Sequence, residues 1–448
     1  VLSSALTLRV LLEGTRATGV EISQAGEVVQ LQARREVILS AGSINSPQLL
    51  LLSGIGPAAE LARHGIVQRH ELPGVGENLQ DHQDIVLMYR TEAKLGYGLG
   101  FSPKGWLPLL RSPWQYLFGR RGALTSNTVE SGGFLRLDPQ AETPELGLIV
   151  APALKNQPQR LVPFGHGVSL HVAVMHPQSR GRVRLNSPDP HDRPLIEANF
   201  LSHPADLDTL VQGFQLVRKL AASRSFARHL KGELVPGPQV SSRGQIEAWI
   251  RANLGTVFHP VGTCKMGHDQ LAVVDDQLRV HGLQGLRVAD ASIMPTLITG
   301  NTKGQAVLIG DRAADLIIGT PAARCVERPS GLHAPELVAG LRPATRLRSG
   351  ARLGSTAQRT SSLVPIRAAR HRAGQDQHLW EHLVGSRHAP HGIGGETTGR
   401  RFPGYPVRSR PIRHLRNRRC PATTVLTRMP SSAWPGWQAS SRSGPGPP

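Results

Sequence analysis

Residues 42–56 read Gly42-Ser43-Ile44-Asn45-Ser46-Pro47-Gln48-Leu49-Leu50-Leu51-Leu52-Ser53-Gly54-Ile55-Gly56. Just before them, Glu36 to Leu39 is a short, mostly apolar run, and Ala41-Gly42-Ser43 ends it like a strand stopped by a turn. Ser46 followed by Pro47 predicts a helix start. A serine hydroxyl accepts from an unpaired first-turn amide, and proline brings no amide to leave unpaired. The helix carries Leu49 to Leu52 and stops at Gly54. The stretch therefore reads as strand, tight turn, capped helix and second turn. Gly54-Ile55-Gly56-Pro57-Ala58-Ala59 has the look of a dinucleotide fingerprint, but it follows a helix, and that fingerprint must follow a strand.

Upstream, Thr7 to Leu12 and Ala17 to Ile22 are apolar runs around Glu13-Gly14-Thr15-Arg16, a hairpin signal. Val28 to Ala33 continues as strand. Downstream, Pro57 to His64 reads as a short helix, and Leu72 to His82 (LPGVGENLQDH) as a loop rich in Gly, Pro and Asn. From Gln83 to about Leu201 short apolar runs alternate with turns, most clearly as strands at Val168–Met175 and Gly181–Leu185. This predicts a sheet-rich second domain. Leu207, Leu210, Val211, Phe214, Val217 and Leu220 give Asp206–Ala222 the period of an amphipathic helix. Val273 to Ala289 reads as short strands around a glycine turn, and Ala306 to Ile318 as a helix.

After Gly319 this regularity ends. Residues 321–448 hold 21 Arg, no Lys and five acidic residues, so they carry sixteen of the twenty net positive charges of the 448-residue chain. Residues 1–320 have an ordinary balance for an enzyme. The tail, 319–448, is rich in Arg and Pro and cannot bury enough apolar surface to offset its chain entropy. It is expected to be disordered or read out of frame. Cys264, Cys325 and Cys420 form no CxxC pair and no metal-ligand spacing, which argues against a disulfide framework or a zinc site and for a reducing compartment. No apolar run reaches 18 residues, so no transmembrane span is expected.

Two further motifs carry chemistry. One is Phe258-His259-Pro260-Val261-Gly262-Thr263-Cys264-Lys265-Met266-Gly267. The other is Gly285-Leu286-Arg287-Val288-Ala289-Asp290-Ala291-Ser292-Ile293-Met294-Pro295-Thr296, followed by Gly300-Asn301-Thr302. With residues 42–56 they closely resemble the glucose-methanol-choline (GMC) oxidoreductase family, whose second signature has the spacing of 42–56 throughout. The resemblance covers residues 1–320.

The resemblance implies an α+β fold: an FAD/NAD(P)-binding-like flavin domain, incomplete here, interleaved with a sheet-rich GMC substrate domain. The flavin domain would take residues 1–82 and return with the active site at 255–318, the substrate domain lying between at 83–254. No strand-borne GxGxxG appears, so the phosphate cradle that such a domain builds at a helix N-terminus is missing. The chain is expected to be the C-terminal part of a longer enzyme. Lys303-Gly304-Gln305 also departs from the Asn-Ala-Pro-like run that the family usually places after GNT.

The implied activity is FAD-dependent oxidation of an alcohol to an aldehyde, as in alcohol and choline dehydrogenases or oxidases. His259 would take the hydroxyl proton, since an imidazole titrates near neutrality. Asn301, 42 positions on, would hydrogen-bond the developing alkoxide. FAD would accept the hydride. Asp290, Ala291 and Thr302 are carried over as cofactor-binding, Asp290 on the ribityl chain, and Thr7 as a strand-backbone contact to the adenine. Glu130, in NTVESGGFLR, falls where a carboxylate lines the substrate cavity of choline-oxidising members. Asp81 and His82 are read as structural. The partners are a small alcohol and an electron acceptor, oxygen or a quinone-type molecule, with no specific nucleic acid. The cytoplasm is the expected location, with peripheral membrane association as the variant. Two other readings stand beside this one: an inactive remnant that binds no flavin, and a nucleic-acid binder acting through the tail arginines.

Overall fold

The expected hairpin is present. β1 (Ala5–Glu13) and β2 (Arg16–Gln24) pair antiparallel across the Gly14-Thr15 turn, and β3 (Glu27–Gln32) completes a three-stranded sheet. The computed structural model describes residues 1–91, 103–125, 129, 131–154 and 165–319. Glu130 and all but the first residue of the 319–448 tail lie outside the described residues. β4 (Val37–Leu39) leads into α1 (Gly42–Leu52), followed by β5 (Ile55–Gly56), α2 (Ala58–Arg63) and β6 (His70–Glu71), the last strand pairing parallel with β5.

The helix of the 42–56 stretch begins at Gly42, five residues before the start that Ser46 and Pro47 suggest. Gly42 opens α1 at φ +83°, a conformation only glycine adopts freely, and Pro47 sits inside the helix. Proline has no N–H to give to the carbonyl four residues back. That carbonyl, of Ser43, accepts instead from the Thr263 hydroxyl at 2.6 Å. The Ser46 hydroxyl accepts from the Ala41 amide and donates to Asp290. Serine thus caps the turn from within the helix.

The middle of the chain holds β7 (Gln83–Thr91), α3 (Pro103–Gly119), β8 (Ser131–Leu135), β9 (Leu146–Ala151), β10 (Gly167–Val174), β11 (Arg182–Arg184), β12 (Leu195–Glu197), α4 (Pro204–Ala222), α5 (Arg224–Ala227), β13 (Leu230–Val235) and α6 (Arg243–Asn253). An antiparallel sheet runs in the order β13-β7-β10-β9-β8, and β14 (Gly255–Thr256) adds to β7. α4 lies on this sheet so closely that a Cβ at Gly213 would come within 2.5 Å of Val172. α3 was not expected in a stretch read as strands, and α6 was not singled out. β15 (Leu286–Val288) is the one named strand within 273–289. Val274 and Arg279 contribute only isolated bridges there, where a run of short strands was expected.

β15 pairs parallel with β4, Val37 against Leu286 and Leu39 against Val288. This pairing joins segments about 250 residues apart and carries the chain into the 3₁₀ turn Ala291–Ile293 and then α7 (Thr302–Ile318). Two hydrophobic clusters result. Leu50, Leu51, Ile55 and Leu61 pack with Val261, Met266, Val288, Ile293 and Ile309. Ile85, Leu87, Val172, Leu210, Phe214 and Ile250 form the other, between the antiparallel sheet and α4 and α6.

Candidate active site

The loop that bears His259 is laid along the Asn78-Leu79-Gln80-Asp81-His82 segment by backbone hydrogen bonds. Gln80 and Val261 exchange amides at 3.1 and 2.9 Å, and β14 continues the pairing onto β7. Phe258 turns through the left-handed region at φ +63° and is 60% exposed, a strained state for an aromatic residue. Its amide donates to the Thr256 hydroxyl at 2.9 Å, and that hydroxyl donates to Asp81. The other Asp81 oxygen accepts from the His259 amide at 2.8 Å. One buried carboxylate thus holds both sides of the turn. Gly262 closes it at φ +95°, where a Cβ would stand 2.5 Å from the Asn78 carbonyl.

The His259 ring is half-buried. Its Nδ1 lies 2.9 Å from Nδ1 of His82, and its Nε2 has no hydrogen-bond partner among the described residues. His82 is fully buried, and its Nε2 lies 3.1 Å from the Ile298 carbonyl.

That carbonyl begins the segment leading to Asn301. Gln80 grips the same segment twice, accepting from the Leu297 amide at 3.1 Å and donating to the Pro295 carbonyl at 3.0 Å. His176 Nε2 lies 2.8 Å from the Thr299 hydroxyl. A Cβ at Gly300 would meet the Phe134 ring at 3.4 Å, so β8 also borders this segment. Asn301 is the backbone cap of α7, but its side chain makes no capping hydrogen bond and is exposed. Its carboxamide has no hydrogen-bond partner among the described residues. His259 and the run into Asn301 meet through His82, whose role was read as structural. His176 was not singled out at all, since a lone histidine in MHPQSRG carries no recognisable spacing.

Asp290 is largely buried, and its carboxylate is engaged within the protein. It accepts from the Gly42 amide, the Ser46 hydroxyl and the Ser292 amide. It welds the start of α1 to the turn after β15, with Ala291 next in the chain. Thr302 is the first residue of α7. Thr7 is largely buried and lines a cleft with Gly19, Leu31, Leu39, Ser40 and Ala41, at the carboxyl end of β4.

Burial dominates the electrostatics. It pushes the Asp81 carboxyl up to about 6, against the pull of the Thr256 hydroxyl and the His259 and His82 amides. It drives His82 down to about 3, helped by the neighbouring His259 ring. It also lowers His259. The wholly buried Cys264 thiol is pushed well up, mainly by burial and then by Asp290, so it is not a nucleophile. Among the described residues no group of three or more His, Cys, Asp or Glu is placed to hold a metal, and no helix is long and apolar enough to cross a membrane.

These features can be set against known proteins. The chain is 44% identical over 322 residues to an alcohol dehydrogenase [acceptor] of Pseudomonas putida, covering 71% of this chain and 58% of that protein. It is 40% identical over 348 residues to an oxygen-dependent choline dehydrogenase of Ectopseudomonas mendocina, covering 77% and 60%. Among solved structures it resembles pyridoxine 4-oxidase from Mesorbium loti, at a TM-score of 0.60 and 28% identity over 70% of this chain and 57% of that one. A formate oxidase of Aspergillus oryzae, studied for its FAD modification, matches at a TM-score of 0.63 and 28% identity over 70% and 60%. The chain thus spans about three-fifths of the length of these relatives. The family models described as GMC oxidoreductase match residues 1–84 and 177–310, the segments that carry α1, Asp81, His82, His259 and Asn301, and the chain belongs to the GMC oxidoreductase family.

Proposed function

We propose that the described residues form the catalytic part of an FAD-dependent enzyme that oxidises an alcohol to an aldehyde, with His259 as base and Asn301 as hydrogen-bond donor to the alcohol oxygen. The observation that carries this reading is the His259 side chain. Its backbone is fixed by Asp81 and one ring nitrogen by His82, which also contacts the segment leading to Asn301, while Nε2 has no hydrogen-bond partner among the described residues.

The residues present fit FAD. The cleft at Thr7, Gly19 and Leu39 to Ala41 has apolar walls and lies outside the carboxyl end of a parallel strand, where α/β sheets bind nucleotides. Thr7 on β1, Gly19 on β2 and Leu39 on β4 line it. Asp290, Ala291 and Thr302 would hold the rest of the cofactor through the turn after β15 and the start of α7. When bound, FAD supplies the hydride acceptor that no side chain can provide.

The chain's own groups supply the rest. His259 Nε2 takes the hydroxyl proton, a service worth about 10²–10⁴ in rate for a well-placed base. The Asp81 carboxylate holds the backbone of this base through its amide at 2.8 Å. The Asn301 carboxamide donates to the oxygen as negative charge grows on it. The substrate is a small or medium alcohol. Glu130, outside the described residues, remains the candidate for drawing a quaternary ammonium to the cavity. The electron acceptor is oxygen or a quinone-type molecule. One relative is named for oxygen and the other for an unspecified acceptor.

The division into a flavin domain, 1–82 with 255–318, and a substrate domain, 83–254, is supported by the two hydrophobic clusters. The cytoplasmic setting rests on the cysteine pattern alone. The base assignment is tested by mixing the flavin-loaded chain with an alcohol anaerobically. His259→Ala should keep its flavin and slow bleaching by at least about a hundredfold. Bleaching at the unsubstituted rate would remove His259 from the mechanism.

A further inference from the structure

We propose that His82 is a positioning residue that locks His259 in the tautomer with its proton on Nδ1 and a free lone pair on Nε2. The Ile298 carbonyl 3.1 Å from His82 Nε2 has no proton to give, so Nε2 of His82 must carry one. A neutral imidazole has a single N–H, which leaves His82 Nδ1 as an acceptor. That nitrogen is 2.9 Å from His259 Nδ1, and the two rings stand at 88° to one another. Only one proton fits between them, and it must belong to His259. With Nδ1 so occupied, the lone pair of neutral His259 lies on Nε2, the nitrogen with no hydrogen-bond partner among the described residues. The opposite tautomer would set two lone pairs face to face in a buried space.

This deduction requires that His82 stay neutral. It is fully buried, and burial together with the adjacent His259 ring holds its proton affinity far below neutrality. A proton arriving at His259 Nε2 therefore stays on His259 and is not passed inward. The same ring also fixes spacing. One nitrogen holds the base and the other the backbone three residues before Asn301, so His82 sets the separation of the two active-site groups.

The proposal deepens the reading of His259 as base and rests on it, but the tautomer can be measured with no alcohol present. The full chain, labelled with ¹⁵N-histidine, is analysed by long-range ¹H–¹⁵N correlation, and His259 is identified among the 19 histidines by its absence in His259→Gln. The expected result is a protonated, pyrrole-type Nδ1 and a pyridine-type Nε2. Finding the proton on Nε2 overturns the proposal outright. His82→Gln offers one acceptor and one donor and should keep the Nδ1–H form, whereas His82→Leu offers neither and should lose it. An unchanged Nδ1–H form in His82→Leu also overturns the proposal. Should that variant not fold, the unsubstituted chain and His82→Gln still decide.

With flavin bound, His82→Leu should slow reduction by alcohol about tenfold or more, as loss of an orienting partner does, with KM little changed and His82→Gln largely rescuing it. The base reading fails separately, if His259→Ala bleaches normally while the tautomer is as stated.

Discussion

At the scale of single residues, two neighbours respond to pH in opposite directions. The folded His82 binds a proton far less readily than the unfolded 6.5, so the stability it contributes is complete above pH 6.5 and is lost as pH falls toward about 3. Between pH 7 and 5 this amounts to about 2 kcal/mol. Asp81 has a raised affinity, so its contribution is complete below 3.8 and lost as pH rises through about 6. Urea midpoints at the two pH values should show His82→Gln losing less stability on acidification than the unsubstituted chain, and Asp81→Asn losing more. Equal responses in all three would contradict the burial argument. Flavin reduction should rise with pH through a midpoint below the ordinary histidine value, because the base must be neutral and burial lowers it. Asn301→Ala should cost about a hundredfold in the same step, as loss of an oxyanion donor does. His259 and Asn301 could be nominated from the sequence because they sit in long motifs. The part played by Asp81 and His82 was not, since a buried contact across some 177 residues leaves no periodic trace.

At the scale of elements, α1 is the joint between the motifs. Its proline leaves the Ser43 carbonyl to Thr263, and the Ser43 hydroxyl donates to the Pro260 carbonyl at 2.7 Å. The helix is thereby bolted to the loop that carries His259. Thr263→Val should strand a buried carbonyl and cost about 1–3 kcal/mol in denaturant unfolding. A cost near zero would mean that water replaces the hydroxyl. α6 starts with a capping box, Ser242 accepting from the Gln245 amide and the Gln245 side chain reaching back. Ser242→Ala should cost about 1 kcal/mol. Periodicity found α4 and α7 because their apolar faces are long and regular. It missed α3, whose Pro108 and Pro113 read in the sequence as helix breaks. The start of α1 was misplaced because serine and proline there serve an internal turn and not the first one.

At the scale of the whole molecule, the fold class and the three motif segments were legible, because each motif couples a backbone need to a residue type. What the sequence did not reveal is how the segments meet. β4 and β15 pair over a separation of about 250 residues, and the intervening chain brings its own sheet and core. The proposed site lies where the segments meet, at Gln80 to His82, His176 and Ile298 to Asn301. The most direct test is a visible absorption spectrum of the full chain after incubation with FAD and gel filtration, followed by anaerobic addition of an alcohol. The account predicts flavin bands that co-elute with the protein and bleach on addition. Protein that elutes without flavin, or bound flavin that no alcohol reduces, would contradict it.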